Sequence, residues 1–156
     1  RDSSTSRGLG DVYKRQPSQR LRKPCRLRLK TLVEPLFANG KSEFAYPLRA
    51  VWRTCAANQL THILPKGSSE SIGRVQMLVV IPKRKQKHAT DRVLLRRRVR
   101  EAYRRLLPAF EESVRQYPHI ATLSVAFVYI SGKAEPYDTI YRKMEKLLTN
   151  IAAQLS

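Results

Sequence analysis

From Thr31 onward the apolar positions recur with two different periods, and each change of period is marked by Gly, Pro or a polar cluster. Leu32 with Leu36, and Val33 with Phe37, are i,i+4 pairs. A capping-box pattern, Thr31 with Glu34, precedes them and Gly40 follows, which predicts a short helix over 31–39. Pro35 is expected in or just after its first turn, where a missing N–H costs little. Residues 44–55, FAYPLRAVWRTC, read as a strand with one partly polar face: Leu48, Ala50 and Trp52 point one way, and Arg49, Val51 and Arg53 the other. Residues 56–73 read as a short strand or turn followed by a flexible PKGSSESIG loop. The β-branched run 74–81, RVQMLVVI, predicts a buried strand ending at Pro82. A basic loop follows, and Thr90 or Asp91 is placed to cap a helix reaching about Leu107, before Pro108. AFEESVRQYP reads either as more helix or as a turn. An apolar strand over 121–130, a turn at Ser131 and Gly132, and a helix from about Asp138 complete the chain. In that last helix Ile140, Met144, Leu147, Leu148, Ile151 and Leu155 form a core stripe.

This order predicts a single-domain α+β fold, an α/β sandwich running helix-strand-strand-strand-helix-strand-helix. The basic helix sits inside a βαβ unit of parallel strands. With 156 residues and 42% apolar composition, the chain can bury one core. Residues 1–19 lack periodic apolar positions, and RGLGDVYKRQ resembles translated adaptor sequence. They are read as a disordered or non-native tail, and 20–156 as the folded domain. No apolar run approaches the roughly 18 residues of a membrane span, and no secretory pattern is present, so a cytoplasmic protein without a membrane partner is expected. Cys25 and Cys55 are too few for a disulfide framework and are read as reduced and structural.

Charge changes the picture. Lys+Arg number 31 and Asp+Glu 12, a net charge of +19. Residues 1–30 carry 10 basic against 2 acidic side chains and residues 83–105 carry 11 against 2, whereas the remainder is nearly neutral. Two dense basic blocks beside a neutral body suggest a surface that meets a polyanion. On a wheel of about 100° per residue, Leu95, Val99, Ala102 and Leu106 cluster between about 280° and 340°. Arg96, Arg100, Arg104 and Arg97 lie between about 40° and 140°. Like charges at i,i+4 cost a few tenths of a kcal/mol per pair unless an anion relieves them, and phosphate is the natural relief. Asp91 and Glu101 are the acids within reach. The other acids, including the adjacent Glu111 and Glu112, form no Mg²⁺-binding pattern, so no catalytic residue or metal ligand is assigned. His62, His88 and His119 lack metal-ligand spacing. GKS at 40–42 is no P-loop, because Pro35 stands where Gly is required.

DRVLLRRRVREAYRR, preceded by VVIPKRKQKHA, resembles the signature of the bacterial ribonuclease P protein component. There a strand and basic loop lead into a helix of the form R-N-x-x-K/R-R-x-x-R-E, which Arg92, Arg96, Arg97, Arg100 and Glu101 match. LVEPLFANGKS resembles the family's first helix, and the similarity extends from about Leu21 to the final helix. The resemblance implies a left-handed βαβ crossover, against the usual rule. It also implies a protein subunit that is inactive alone and pairs one-to-one, as a monomer, with a catalytic RNA. That RNA performs Mg²⁺-dependent removal of the 5′ leader from precursor tRNA. Implied contacts to the catalytic RNA are Lys83, Arg84, Lys85, Lys87, Arg92, Arg96, Arg97, Arg100 and Arg104. Implied leader-cleft residues are Phe37, Phe44, Tyr46, Arg49, Trp52 and Arg53, since single strands bind basic grooves with aromatic stacking. Val93 replaces the family's Asn inside the arginine face, so an RNA-facing polar contact is expected to be lost or remodelled. Leu94, at about 200°, falls outside that face. A basic ribosomal-type or chaperone-like RNA-binding protein is the alternative. A major-groove DNA reader fits less well, because the arginine face offers no Asn or Gln to read adenine.

Overall fold

The computed structural model describes residues 26–27, 30–63 and 73–155, the side chains of 30, 31 and 61–63 aside. In chain order the elements are α1 (Lys30–Asn39), β1 (Lys41–Ala45), β2 (Leu48–Cys55), α2 (Ala57–Ile63), β3 (Val75–Val80), α3 (Ala89–Arg115), β4 (Thr122–Tyr129) and α4 (Tyr137–Ala153). The strands form one sheet in the order β1-β2-β4-β3. β1 pairs antiparallel with β2 and β2 with β4, while β3 and β4 are parallel, as expected for strands joined through α3.

Alternation along β2 divides the sheet. Leu48, Ala50 and Trp52 join Met77, Val125, Phe127 and Tyr129 on the face covered by α3 and α4, which is the main core. Val51, with Ala126, packs on the other face beneath Leu32 and Leu36 of α1 and beside Leu27. Leu27 also donates its N–H to the Met77 carbonyl at 2.8 Å, and Arg26 bridges to Met77, so the start of the described chain lies along the free edge of β3.

Several elements depart from the sequence expectations. The stretch 44–55 is not one strand, because the chain turns at Tyr46–Pro47, joined by a cis peptide bond, and Phe44 belongs to the separate strand β1. KSEFA is too short and polar to announce itself by period. A helix, α2, occupies part of the segment read as strand or turn. α1 starts at Lys30, so Thr31 lies inside it, and Pro35 falls in its second turn, removing a bond to the Thr31 carbonyl. α3 runs through Pro108 for 27 residues. The buried Tyr103, Leu107, Phe110 and Val114 continue its inner face across the proline, and their packing outweighs one lost backbone bond. The N-cap of α3 is His88, which makes no side-chain capping bond; Thr90 and Asp91 lie within the first turn. In α4 the stripe Ile140, Met144, Leu147, Leu148 and Ile151 is buried as the spacing predicts. The tail at 1–19, Cys25 and all but the last residue of the PKGSSESIG loop lie outside the described residues.

Candidate nucleic-acid interface

The basic loop is a tethered turn with its cations outward. Lys85 and Gln86 both donate backbone N–H groups to the Pro82 carbonyl at 3.1 Å, which exposes Lys83, Arg84 and Lys85 at the tip. Gln86 is buried, and its side-chain amide donates to the Ser131 carbonyl at 3.2 Å, tying the loop to the turn after β4. Arg92 reaches back from α3 to the carbonyls of Gln86 and Lys87, each at 2.9 Å. Lys87 and His88 remain exposed.

The arginines of α3 divide by partner. Arg92 is engaged by the loop. Arg104 and Arg105 are held by Glu101, with Nε–Oε distances of 3.0 and 2.9 Å. Those two hydrogen bonds pull the Glu101 carboxyl down to about 2. Arg98, at about 240° and so on neither predicted face, donates to the Glu135 carbonyl at 2.6 Å and anchors α3 to the chain before α4. Arg97 and Arg100 are exposed and Arg96 half-buried, and none of the three has an ion-pair partner among the described residues. The stripe expected from the wheel therefore narrows to these three. The bracing role of Arg98 depends on a carbonyl 37 residues away, and that of Arg92 on carbonyls of the irregular loop just before the helix; periodicity reveals neither.

On the opposite side, hairpin register decides which residues share the α1 face. Phe44 pairs with Arg49 and Ser42 with Val51, so Ser42, Phe44, Arg49, Val51 and Arg53 point the same way. Arg49 lies over the Phe44 ring at 5.6 Å and donates to the Ser42 hydroxyl at 3.2 Å. Phe44, Phe37 on the flank of α1, and Tyr46 in the turn are all exposed. Trp52 points to the other face and is 3% exposed within the main core, with Lys41 over its ring. The structure thus separates Trp52 from the other expected leader-contacting residues, because a residue one position from Arg53 cannot share its face.

The basic loop and the Phe44–Arg49 pair lie at the same end of the sheet. Leu48 lies opposite Tyr129 and Val80 beside Val128, and Ile130 donates to the Pro47 carbonyl at 2.8 Å. The basic loop, which leaves β3 there, therefore stands at the same end as Phe44 and Arg49.

Among the described residues no cluster of three metal-ligating side chains exists, so they do not fit a Mg²⁺ held by protein alone. No described helix is long and apolar enough to cross a membrane. Cys55 is buried and unpaired, and burial raises its thiol pKa.

Residues 21–152 match the family described as Ribonuclease P. Over 139 residues the chain is 30% identical to the ribonuclease P protein component of a Porphyromonas gingivalis strain, covering 89% of this chain and 91% of that one. The protein of a second strain is 30% identical over 135 residues, covering 86% and 88%. In fold the chain is similar to the RNase P protein of Thermotoga maritima, with a TM-score of 0.54 at 20% identity, covering 80% and 96%. It is also similar to that of Staphylococcus aureus, with a TM-score of 0.54 at 13% identity, covering 81% and 94%.

Proposed function

This chain belongs to the ribonuclease P protein component family and is a subunit of that endoribonuclease, and from that premise we propose how its two surfaces divide the work. The basic loop (Lys83, Arg84, Lys85, Lys87) and the outer face of α3 (Arg96, Arg97, Arg100) bind the catalytic RNA through its phosphates. Arg92 and Arg104 act at that interface from braced positions. The α1 face of the sheet, with Phe37, Phe44, Tyr46, Arg49 and Arg53, takes the single-stranded 5′ leader of precursor tRNA. The protein acts as one copy per RNA in the cytoplasm, and Mg²⁺ enters through the RNA.

The observation that carries this reading is the trio Arg96, Arg97 and Arg100, three guanidiniums in adjacent turns without ion-pair partners among the described residues. Such a stripe is relieved by phosphates. Reconstitution with the cognate catalytic RNA at low Mg²⁺ tests it. The protein stimulates leader removal, and Arg96→Glu with Arg100→Glu abolishes both RNA binding and stimulation while the far-UV spectrum stays folded. Affinity falls with salt by roughly 0.7–0.9 log units per log unit of salt for each phosphate neutralised. Unchanged binding by the double variant removes α3 from the interface. Failure to stimulate cleavage leaves a general RNA-binding protein.

A further inference from the structure

Two large apolar side chains interrupt the arginine helix. Val93 and Leu94 are 44% and 38% exposed, although the outer surface of α3 between Arg92 and Arg105 is strongly cationic. Isolated exposed apolar residues are ordinary. Here the two are adjacent and, with Ala89, Thr90 and Arg97, line a shallow concavity of about 370 Å³ over the first turns of the helix. That volume lies within the range of about 300–1,000 Å³ typical of clefts that hold small organic groups. The wheel placed Val93 inside the arginine face and Leu94 outside it, but in the structure both border the same hollow.

We propose that this concavity seats an unstacked nucleobase of the catalytic RNA, an inference that rests on α3 being the catalytic-RNA interface. The floor is aliphatic and takes the flat face of a heterocycle away from water. Arg97, at its edge, can meet the attached phosphate or stack on the ring, and the Thr90 hydroxyl offers a donor and an acceptor to a base edge. Charge selects this occupant over another protein surface. The segment 83–105 carries 11 basic and 2 acidic side chains, so a second copy of the chain would bring like charge against like charge. An extruded base is apolar on its faces and tethered to anions, which matches both the floor and the rim. Sequence-specific RNA recognition commonly targets such splayed bases.

The seat and the phosphate stripe are separable by experiment. Val93→Asn, Leu94→Asn and the double variant, all at exposed positions, are compared with the parent chain. Binding to the cognate ribonuclease P RNA is measured across a KCl series, together with dimethyl sulfate reactivity of the unpaired bases. The double variant binds about fivefold or more weakly, as expected from removing the apolar surface under one base. Its salt slope is unchanged, because no phosphate contact is lost, and one base protected in the parent complex becomes reactive. If the double variant keeps parental affinity and footprint while Arg96→Glu with Arg100→Glu loses binding, the seat is wrong and the interface stands. If the charge-reversed variant binds like the parent, the interface reading itself fails. Tighter binding by Val93→Asn, or self-association of the parent that Leu94→Asn abolishes, also overturns the seat.

Discussion

Arg92 braces Gln86: its guanidinium donates to the Gln86 carbonyl at 2.9 Å, while the Gln86 side chain spans to the Ser131 carbonyl at 3.2 Å. The first arginine of the basic motif thus fixes the loop that carries the lysines. Charge-assisted hydrogen bonds are worth about 1.5–3 kcal/mol when buried. Arg92 is only half-buried, so Arg92→Gln is expected to cost about 1–2 kcal/mol in denaturant unfolding. It should also speed hydrogen exchange at the Lys85 and Gln86 amides. Both bonds come from the one Nη1, and the lysine stem ends one bond short of that atom, so Arg92→Lys should keep the charge but show most of the same loss. A lysine variant matching the parent in both measurements would show that any cationic donor at this position suffices.

Glu101 gives the fold a pH signature. Its carboxyl titrates at about 2, below the ordinary 4.5, because Arg104 and Arg105 donate to it. The folded value lies below the unfolded one, so the stabilisation is complete above about pH 4.5 and disappears as pH falls toward 2. With the Glu101 side chain 38% exposed, solvent screening limits the contribution to about 0.3–1 kcal/mol. Thermal unfolding should therefore separate Glu101→Gln from the parent at pH 6 and bring the two curves together near pH 2. A gap that widens on acidification would contradict the pairing.

Much of this arrangement was legible from local pattern, and the unread parts share a cause. The core stripes of α3 and α4 and the two faces of β2 follow from period alone. The same alternation already set Trp52 against Arg49 and Arg53, so its burial was contained in the pattern even though its aromatic ring suggested the cleft. Phe44 was harder. Only the turn at Tyr46–Pro47, which pairs Phe44 with Arg49, moves it onto the α1 face. Local pattern at Pro108 leaves a stop and a continuation both open, whereas tertiary packing of Leu107 and Phe110 carries the helix past it. The bracing roles of Gln86 and Arg98 rest on carbonyls 45 and 37 residues away, and no local pattern encodes such distances.

The aromatic residues should separate by face. Phe37→Ala and Phe44→Ala remove exposed rings, so stability should change by no more than about 0.5 kcal/mol. If they stack on the leader, each should weaken binding of a single-stranded leader oligonucleotide by about 1–3 kcal/mol. Trp52→Ala should do the reverse, costing about 3–5 kcal/mol of stability through the main core. Leader binding that survives loss of both phenylalanines would move the single strand elsewhere.

Gly40 governs how closely α1 sits on the sheet. Its N–H donates to the Leu36 carbonyl at 2.8 Å. A Cβ there would overlap that same oxygen and stand 2.9 Å from Val51 Cγ1 and 3.1 Å from the Trp52 carbonyl oxygen. Two of the three obstacles are backbone, so neither can swing aside as a flexible side chain would. Gly40→Ala is therefore expected to cost about 1–3 kcal/mol. Relief would come by lifting α1, whose Leu36 packs with Val51, and that would alter the α1 face of the sheet without touching α3. Leader affinity should then fall while affinity for the catalytic RNA holds. Adding Val51→Ala removes only the side-chain obstacle and creates a cavity under α1, so the double variant should be no more stable than Gly40→Ala alone. Full rescue by Val51→Ala in denaturant unfolding would locate the clash in that side chain and leave the backbone approach without energetic weight.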